Sequence, residues 1–218
     1  MVGVNIAIEN ICNMVNENSF CIKPKIYSNF FYVTYVGYLN ILKDPFTMFQ
    51  CIREIKRTNG HNIRFRIING VNEFGELIDK FNISDIVENL ENVSRDEMIK
   101  IISQQTDVLV STSTSEPFGL PIIEALMFGV TVVATKSGGN QDFLTSQNSI
   151  LIENKDFKSL AESILKIKNR EIVFDGQYLR NSVLHKFGIE AFTKRYCEHL
   201  NTVLNKESRF GDSDLISR

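Results

Sequence analysis

With 218 residues, 43% of them hydrophobic, the chain has enough material for one or two domains with a sizeable core. Its formal charge of -2 argues against a general polyanion-binding surface, and so against nucleic acid as a partner. Cys12, Cys21, Cys51 and Cys197 are too scattered for a metal cluster or a redox pair, and there is neither a signal-peptide pattern nor an apolar run of bilayer length, which points to a cytoplasmic protein.

In chain order, apolar residues near helical spacing occupy 5–15, and an extended stretch with Pro24 follows. Residues 31–36 read as a strand closed by Gly37. After a loop over 38–43, Asp44 and Pro45 open a helix as cap and first-turn proline. Phe46, Phe49, Ile52 and Ile55 form its expected apolar stripe, Asn59-Gly60 its stop, and 62–69 a second strand ending at Gly70. A short helix over 73–82 and a weak strand within 83–91 come next. Ser94 and Glu97 have the spacing of a capping box, and the helix they open buries Met98, Ile101 and Ile102.

Residues 107–139 carry the strongest signal. The apolar run 107–112 suits a strand buried on both faces, as in a parallel sheet. Glu116-Pro117-Phe118-Gly119 breaks it, and a helix follows with Pro121 in its first turn and Ile122, Ile123, Ala125, Leu126 and Met127 as its body. Gly129 ends that helix, and 131–135 is the next strand. The unit is strand, helix, strand, so its crossover is right-handed and the sheet parallel. The helix start attracts anions, and Glu116 and Glu124 flank it with acceptors for hydroxyls. A polyol phosphate matches both features.

The string E-P-F-G-L-P-I-I-E-A-L at 116–126, followed by Gly129, V-V-A-T and Gly138-Gly139, resembles the donor-sugar signature of glycosyltransferase family 4, retaining enzymes of the GT-B fold. Gly37 to Lys43 resembles that family's V-G-x-L-x-x-x-K loop. Where many members have an arginine directly after the glycine, this chain has Tyr38, so one of two cationic phosphate contacts is missing. Asp142 stands where the family usually has glutamate, and Ser149 where it has glycine.

The resemblance implies an α/β fold: a Rossmann-like, doubly wound parallel sheet, the C-terminal half of GT-B. It implies a donor-binding domain over 31–205, with 1–30 as linker or remnant of the acceptor-domain side and 206–218 as a polar, disordered tail. Glu116 takes the catalytic role, hydrogen-bonding sugar hydroxyls. Gly37 lets the backbone approach the diphosphate, Lys43 neutralises a phosphate, the N–H groups of Phe118, Gly119 and Leu120 face phosphate and sugar, and Glu124 holds the ribose hydroxyls. Backbone groups at 91–93 would cup the base.

The implied activity is transfer of a sugar from a nucleotide-diphosphate donor to a hydroxyl acceptor with retention. No cofactor and no metal is expected, since the nucleotide sugar is a substrate. The acceptor, a glycan, lipid or protein, stays open. The acceptor half is expected from a missing domain or a partner chain, which could also bring the chain to a membrane surface. A non-catalytic nucleotide-sugar-binding subunit is the alternative, and another GT-B-like enzyme, an epimerase or phosphorylase, a third. Asp212-Ser213-Asp214 has the D-x-D form that binds metal in the separate GT-A class, but it lies beyond the last expected helix, near 187–204. His61, His185 and His199 are isolated and read as surface or capping residues.

Overall fold

The computed structural model describes residues 14–15, 20–58, 62–68 and 73–211. The helical pattern at 5–15 falls almost wholly outside them, as do Asn59-Gly60, His61, Gly70 and Asp212-Ser213-Asp214. The described chain divides into two compact units, Phe20–Val183 and a second formed by Met1–Ser19 with Leu184–Arg218.

The first unit is built on a six-stranded parallel sheet in the order β3-β2-β1-β4-β5-β6. Its strands are β1 (Phe31–Val36), β2 (Ile63–Ile68), β3 (Val87–Leu90), β4 (Val108–Ser111), β5 (Thr131–Thr135) and β6 (Ile150–Ile152). The helices between them are α1 (Pro45–Arg57), α2 (Glu73–Lys80), α3 (Arg95–Gln105) and α4 (Leu120–Met127); α5 (Phe157–Lys168) and α6 (Gly176–Phe187) follow. Strand order reverses between β1 and β4, which pair directly, Val33 with Val108 and Tyr35 with Val110. This is the Rossmann-like, doubly wound arrangement, whose ligands bind beyond the carboxyl ends of the strands at that reversal.

Alternation along the strands sorts the core. Val33, Tyr35, Phe65, Ile67, Val108, Val110 and Val133 face α1, α2 and α5, meeting Phe49, Ile52, Phe74, Ile78, Leu160 and Ile164. The intervening residues face the other side, where Thr34 and Thr106 share a 2.7 Å hydroxyl contact and Arg66 donates to the Gln105 carbonyl at 3.3 Å. Arg66 also donates from Nε to Glu88 at 2.6 Å, so the buried cation is paired.

Several expectations are corrected. Phe46 lies outside the buried stripe of α1 and is 52% exposed; Phe49, Ile52 and Ile55 bury as expected, joined by Met48 and Cys51. The chain continues after α5 into α6, capped by Asp175, whose carboxylate accepts from the Tyr178 N–H at 2.7 Å. Its apolar positions Leu179, Val183 and Phe187 recur every four residues, a signal available in the sequence. Residues 138–142 form a 3-10 turn. In the second unit α7 runs from Ile189 through Gly211, further than the expected end at 204. There Phe192 and Tyr196 stack at 5.8 Å.

Candidate functional site

The loops after β1 and β4 leave the sheet side by side at its carboxyl end, where strand order reverses. The first carries Gly37 and Lys43, the second Glu116, Phe118, Gly119 and Leu120. Gly37 continues the ladder, its N–H donating to the Ile68 carbonyl at 3.2 Å. A Cβ there would press on the Tyr35 ring at 3.1–3.2 Å, so glycine lets the loop turn over that ring. Tyr35 is buried, which pushes its phenol well above the usual range, and its hydroxyl donates to the Lys43 carbonyl at 3.2 Å. Thr112, wholly buried, donates to the same carbonyl at 2.9 Å and to that of Asp44 at 2.8 Å. Asp44, at φ +41°, caps α1 by accepting from the Thr47 N–H and hydroxyl. Lys43 is therefore held by the end of β4 as well as by its own loop.

Glu116 closes the site from the other side. Its Oε1 accepts the Gly119 N–H at 3.0 Å, and its Oε2 accepts from Ser113 Oγ at 3.3 Å and from Lys43 Nζ. Gly119 sits at φ +77° as the cap of α4, a left-handed conformation that suits glycine. Of the three N–H groups expected to face a ligand, that of Gly119 is thus engaged by Glu116. Leu120 begins the helix proper, where N–H groups lack intrahelical partners, and its side chain is partly exposed. Pro121 falls in that first turn.

Gly138 and Gly139 brace this loop from β5. The Gly139 N–H donates to the Glu116 carbonyl at 2.8 Å. Asn140 is wholly buried and fixes the turn: its amide donates to the Thr135 carbonyl and to Ser137 Oγ, both at 2.9 Å, and it accepts the Ser137 N–H at 3.1 Å. Sequence reading passed over Asn140 and Ser137; an amide directly after paired glycines was the available signal.

Glu124, one turn into α4, is nearly closed off, its side chain 4% exposed. Both its oxygens accept from the guanidinium of Arg95, which sequence reading did not single out. Tyr38, at the position of the absent arginine, is 61% exposed and brings no charge. The 91–93 segment follows β3 at the same end of the sheet, with Asn92 at φ +54°. Among the described residues no group of three or more His, Cys, Asp and Glu could hold a metal, and no helix is long and apolar enough to cross a membrane.

Residues 18–181 match the family described as glycosyl transferases group 1. The chain belongs to this family. Spinach sucrose-phosphate synthase is 32% identical over 96 residues, 42% of this chain and 9% of that protein. A probable sucrose-phosphate synthase of rice is 26% identical over 145 residues, 64% of this chain and 14% of that one.

Among solved structures, Thermosynechococcus elongatus sucrose-phosphate synthase superposes with a TM-score of 0.77 at 21% identity, covering 90% of this chain and 52% of its own. Anabaena HepE in complex with UDP and glucose superposes with a TM-score of 0.74 at 18% identity, covering 88% and 56%. This group 1 glycosyl transferase chain therefore has the Rossmann-like α/β fold of GT-B enzymes and spans only part of the proteins it resembles.

Proposed function

We propose that the chain is the donor half of a retaining glycosyltransferase, binding a nucleotide-diphosphate sugar. The observation that carries this is the meeting of Lys43 and Glu116 at the start of α4, from the two loops that flank the strand-order reversal. A cation beside a helix N-terminus offers charge for a diphosphate. A carboxylate at the same mouth offers acceptors for sugar hydroxyls, and Glu124 offers them for ribose. The complexes of HepE with UDP and glucose support a uridine nucleotide as the first candidate.

In the reaction the bond between the anomeric carbon and the leaving phosphate oxygen breaks, and the acceptor hydroxyl oxygen bonds to that carbon on the same face. The acceptor proton passes to the departing phosphate. This chain's part is to stabilise the growing charge with Lys43 and the α4 start and to orient the sugar with Glu116. No step is assigned to a metal, so chelation should leave binding unchanged. The acceptor site is proposed to come from residues outside this sequence, in another segment or a partner chain, so the chain alone should bind donor and transfer no sugar.

Titration calorimetry of the chain with UDP, GDP and ADP and their glucose conjugates tests the reading. Binding of one nucleoside diphosphate, with its sugar conjugate sensitive to Glu116→Ala, is expected; no binding of any would overturn it. Tyr38 favours a second reading, a non-catalytic donor-binding subunit, because it removes a cation from the phosphate site. Joining the chain to an acceptor domain and following donor consumption separates the two.

A further inference from the structure

Three groups donate to the Glu116 carboxylate, and they differ in what else they can serve. Oε1 takes the Gly119 N–H at 3.0 Å, and Oε2 takes Lys43 Nζ together with Ser113 Oγ at 3.3 Å. The Lys43 ammonium has three N–H donors on a side chain 31% exposed, so a phosphate at the mouth can draw on it as well. Ser113 is 2% exposed and has one proton to give, which goes to Glu116. Its oxygen accepts from Ser111 Oγ at 3.5 Å, which places a donor behind it and leaves the proton for the carboxylate. Two donors share Oε2, and the Ser113 bond is the longer, so it should tighten as Lys43 is drawn off.

The end of β5 fixes Ser113 in turn. Thr135, wholly buried, donates to the Ser113 carbonyl at 2.5 Å, and the Thr135 carbonyl accepts from the Asn140 amide at 2.9 Å. The Gly139 N–H, beside Asn140, holds the Glu116 carbonyl. One rigid corner therefore sets the main chain of Glu116 through Gly139 and its side chain through Ser113. The Glu116 side chain is only 11% exposed, so an oxygen left without donors there is poorly served by water. On the nucleotide-sugar reading of this site, we propose that Ser113 is a positioning residue for the donor sugar: it keeps the Glu116 carboxylate in place for the sugar hydroxyls while Lys43 is drawn to the diphosphate.

The test titrates the parent chain and Ser113→Ala with whichever of UDP, GDP and ADP the parent binds most tightly, and with its glucose conjugate. The quantity read is the ratio of the two affinities, since only the conjugate carries the sugar. Ser113→Ala should lower that ratio by roughly three- to tenfold, the net value of one hydrogen bond, while changing nucleoside diphosphate affinity by less than about threefold. Ser113→Cys, which keeps the size but donates weakly, should fall between. Added to Glu116→Ala, Ser113→Ala should change the ratio by less than about twofold, because a residue that acts through Glu116 has nothing left to act on.

Equal losses for both ligands in Ser113→Ala mean a merely structural role and overturn the proposal. A full Ser113 effect in the Glu116→Ala background overturns it too, by placing the action elsewhere. Should Ser113→Ala fail to fold, Ser113→Cys decides: a reduced ratio supports the proposal and the parent's ratio overturns it. A parent that binds no nucleotide, or whose sugar conjugate ignores Glu116→Ala, overturns the nucleotide-sugar reading along with the proposal. A parent that passes both checks, with its ratio unchanged in Ser113→Ala, overturns the proposal alone.

Discussion

A Cβ placed on Gly139 would lie 2.0 Å from the Pro117 carbonyl oxygen, so the turn after β5 and the loop after β4 touch backbone to backbone. No rotamer change relieves such a contact, because both partners are main chain. Gly139→Ala must therefore push the 116–119 loop away from its place over α4. It should cost about 1–3 kcal/mol of stability in urea unfolding and weaken nucleotide-sugar binding. Gly75→Ala is the matched control: its added Cβ meets nothing within 4 Å in the first turn of α2. That change should leave binding alone and stabilise the fold by about 0.5–1 kcal/mol. Equal stability of the two variants would refute the assigned contact.

Thr112 offers a second test of how the site is held. Its hydroxyl donates to the carbonyls of Lys43 and Asp44 from a fully buried position. Valine has the same shape without the donor, so Thr112→Val leaves the packing and removes both bonds. The Lys43 carbonyl keeps its bond from the Tyr35 hydroxyl, so the expected loss is about 0.5–1.5 kcal/mol, the net worth of one shared hydroxyl hydrogen bond. Nucleotide affinity should fall with it, since the Lys43 loop loses one of its ties to the segment after β4, that from the Thr114 N–H to the Leu42 carbonyl remaining. A variant as stable as the parent would show that these carbonyls find other donors.

The fold was legible because its signals are local and redundant. The β4–α4–β5 unit is written in apolar runs of strand length, a first-turn proline and Gly129, whose φ of +72° meets the expected left-handed end. Phe46 misled because helical spacing places a residue on a stripe but not the stripe against a neighbour; beside the expected Phe49, Ile52 and Ile55, the core takes Met48 and Cys51. In the candidate site, Glu116 and Glu124 were expected from a motif whose spacing fits one turn and one helix, and Lys43 from the loop after Gly37; the structure brings Lys43 to Glu116. Arg95 escaped because its partner lies 29 residues away on another helix, and nothing in an isolated Ser-Arg-Asp-Glu run encodes that pairing. The tie from Thr112 to the Lys43 loop was hidden for the same reason.

Cysteine reactivity should follow burial. Cys51 is wholly enclosed in α1, and burial pushes its thiol far above the usual range, whereas Cys21 and Cys197 are exposed. The thiolate is the reactive form. Iodoacetamide at mild alkaline pH, followed by peptide mass mapping, should modify Cys21 and Cys197 in the native chain and reach Cys51 only in denaturant. Modification of native Cys51 at the rate of the exposed pair would mean that α1 opens readily from the sheet.

The final prediction concerns the choice open to Lys43. Its ammonium is bound to Glu116, yet the proposed role is to neutralise a phosphate. The two demands conflict, since one ammonium cannot serve both anions fully. Glu116→Gln removes the competing charge while keeping the size of the side chain and an acceptor for the Gly119 N–H. Nucleoside diphosphate should then bind as well as to the parent, or up to about tenfold tighter. The nucleotide sugar should lose affinity relative to it, because a neutral amide accepts sugar hydroxyls less strongly than a carboxylate. Lys43→Met should weaken both ligands by roughly tenfold or more, a charge-assisted contact being worth about 1.5–3 kcal/mol, and should flatten the dependence of affinity on salt. Calorimetry of the two variants with UDP and UDP-glucose at two ionic strengths reads all of this. Weaker diphosphate binding in Glu116→Gln, or none lost in Lys43→Met, would show that this pair is a fixed structural tie and that the phosphate is held elsewhere.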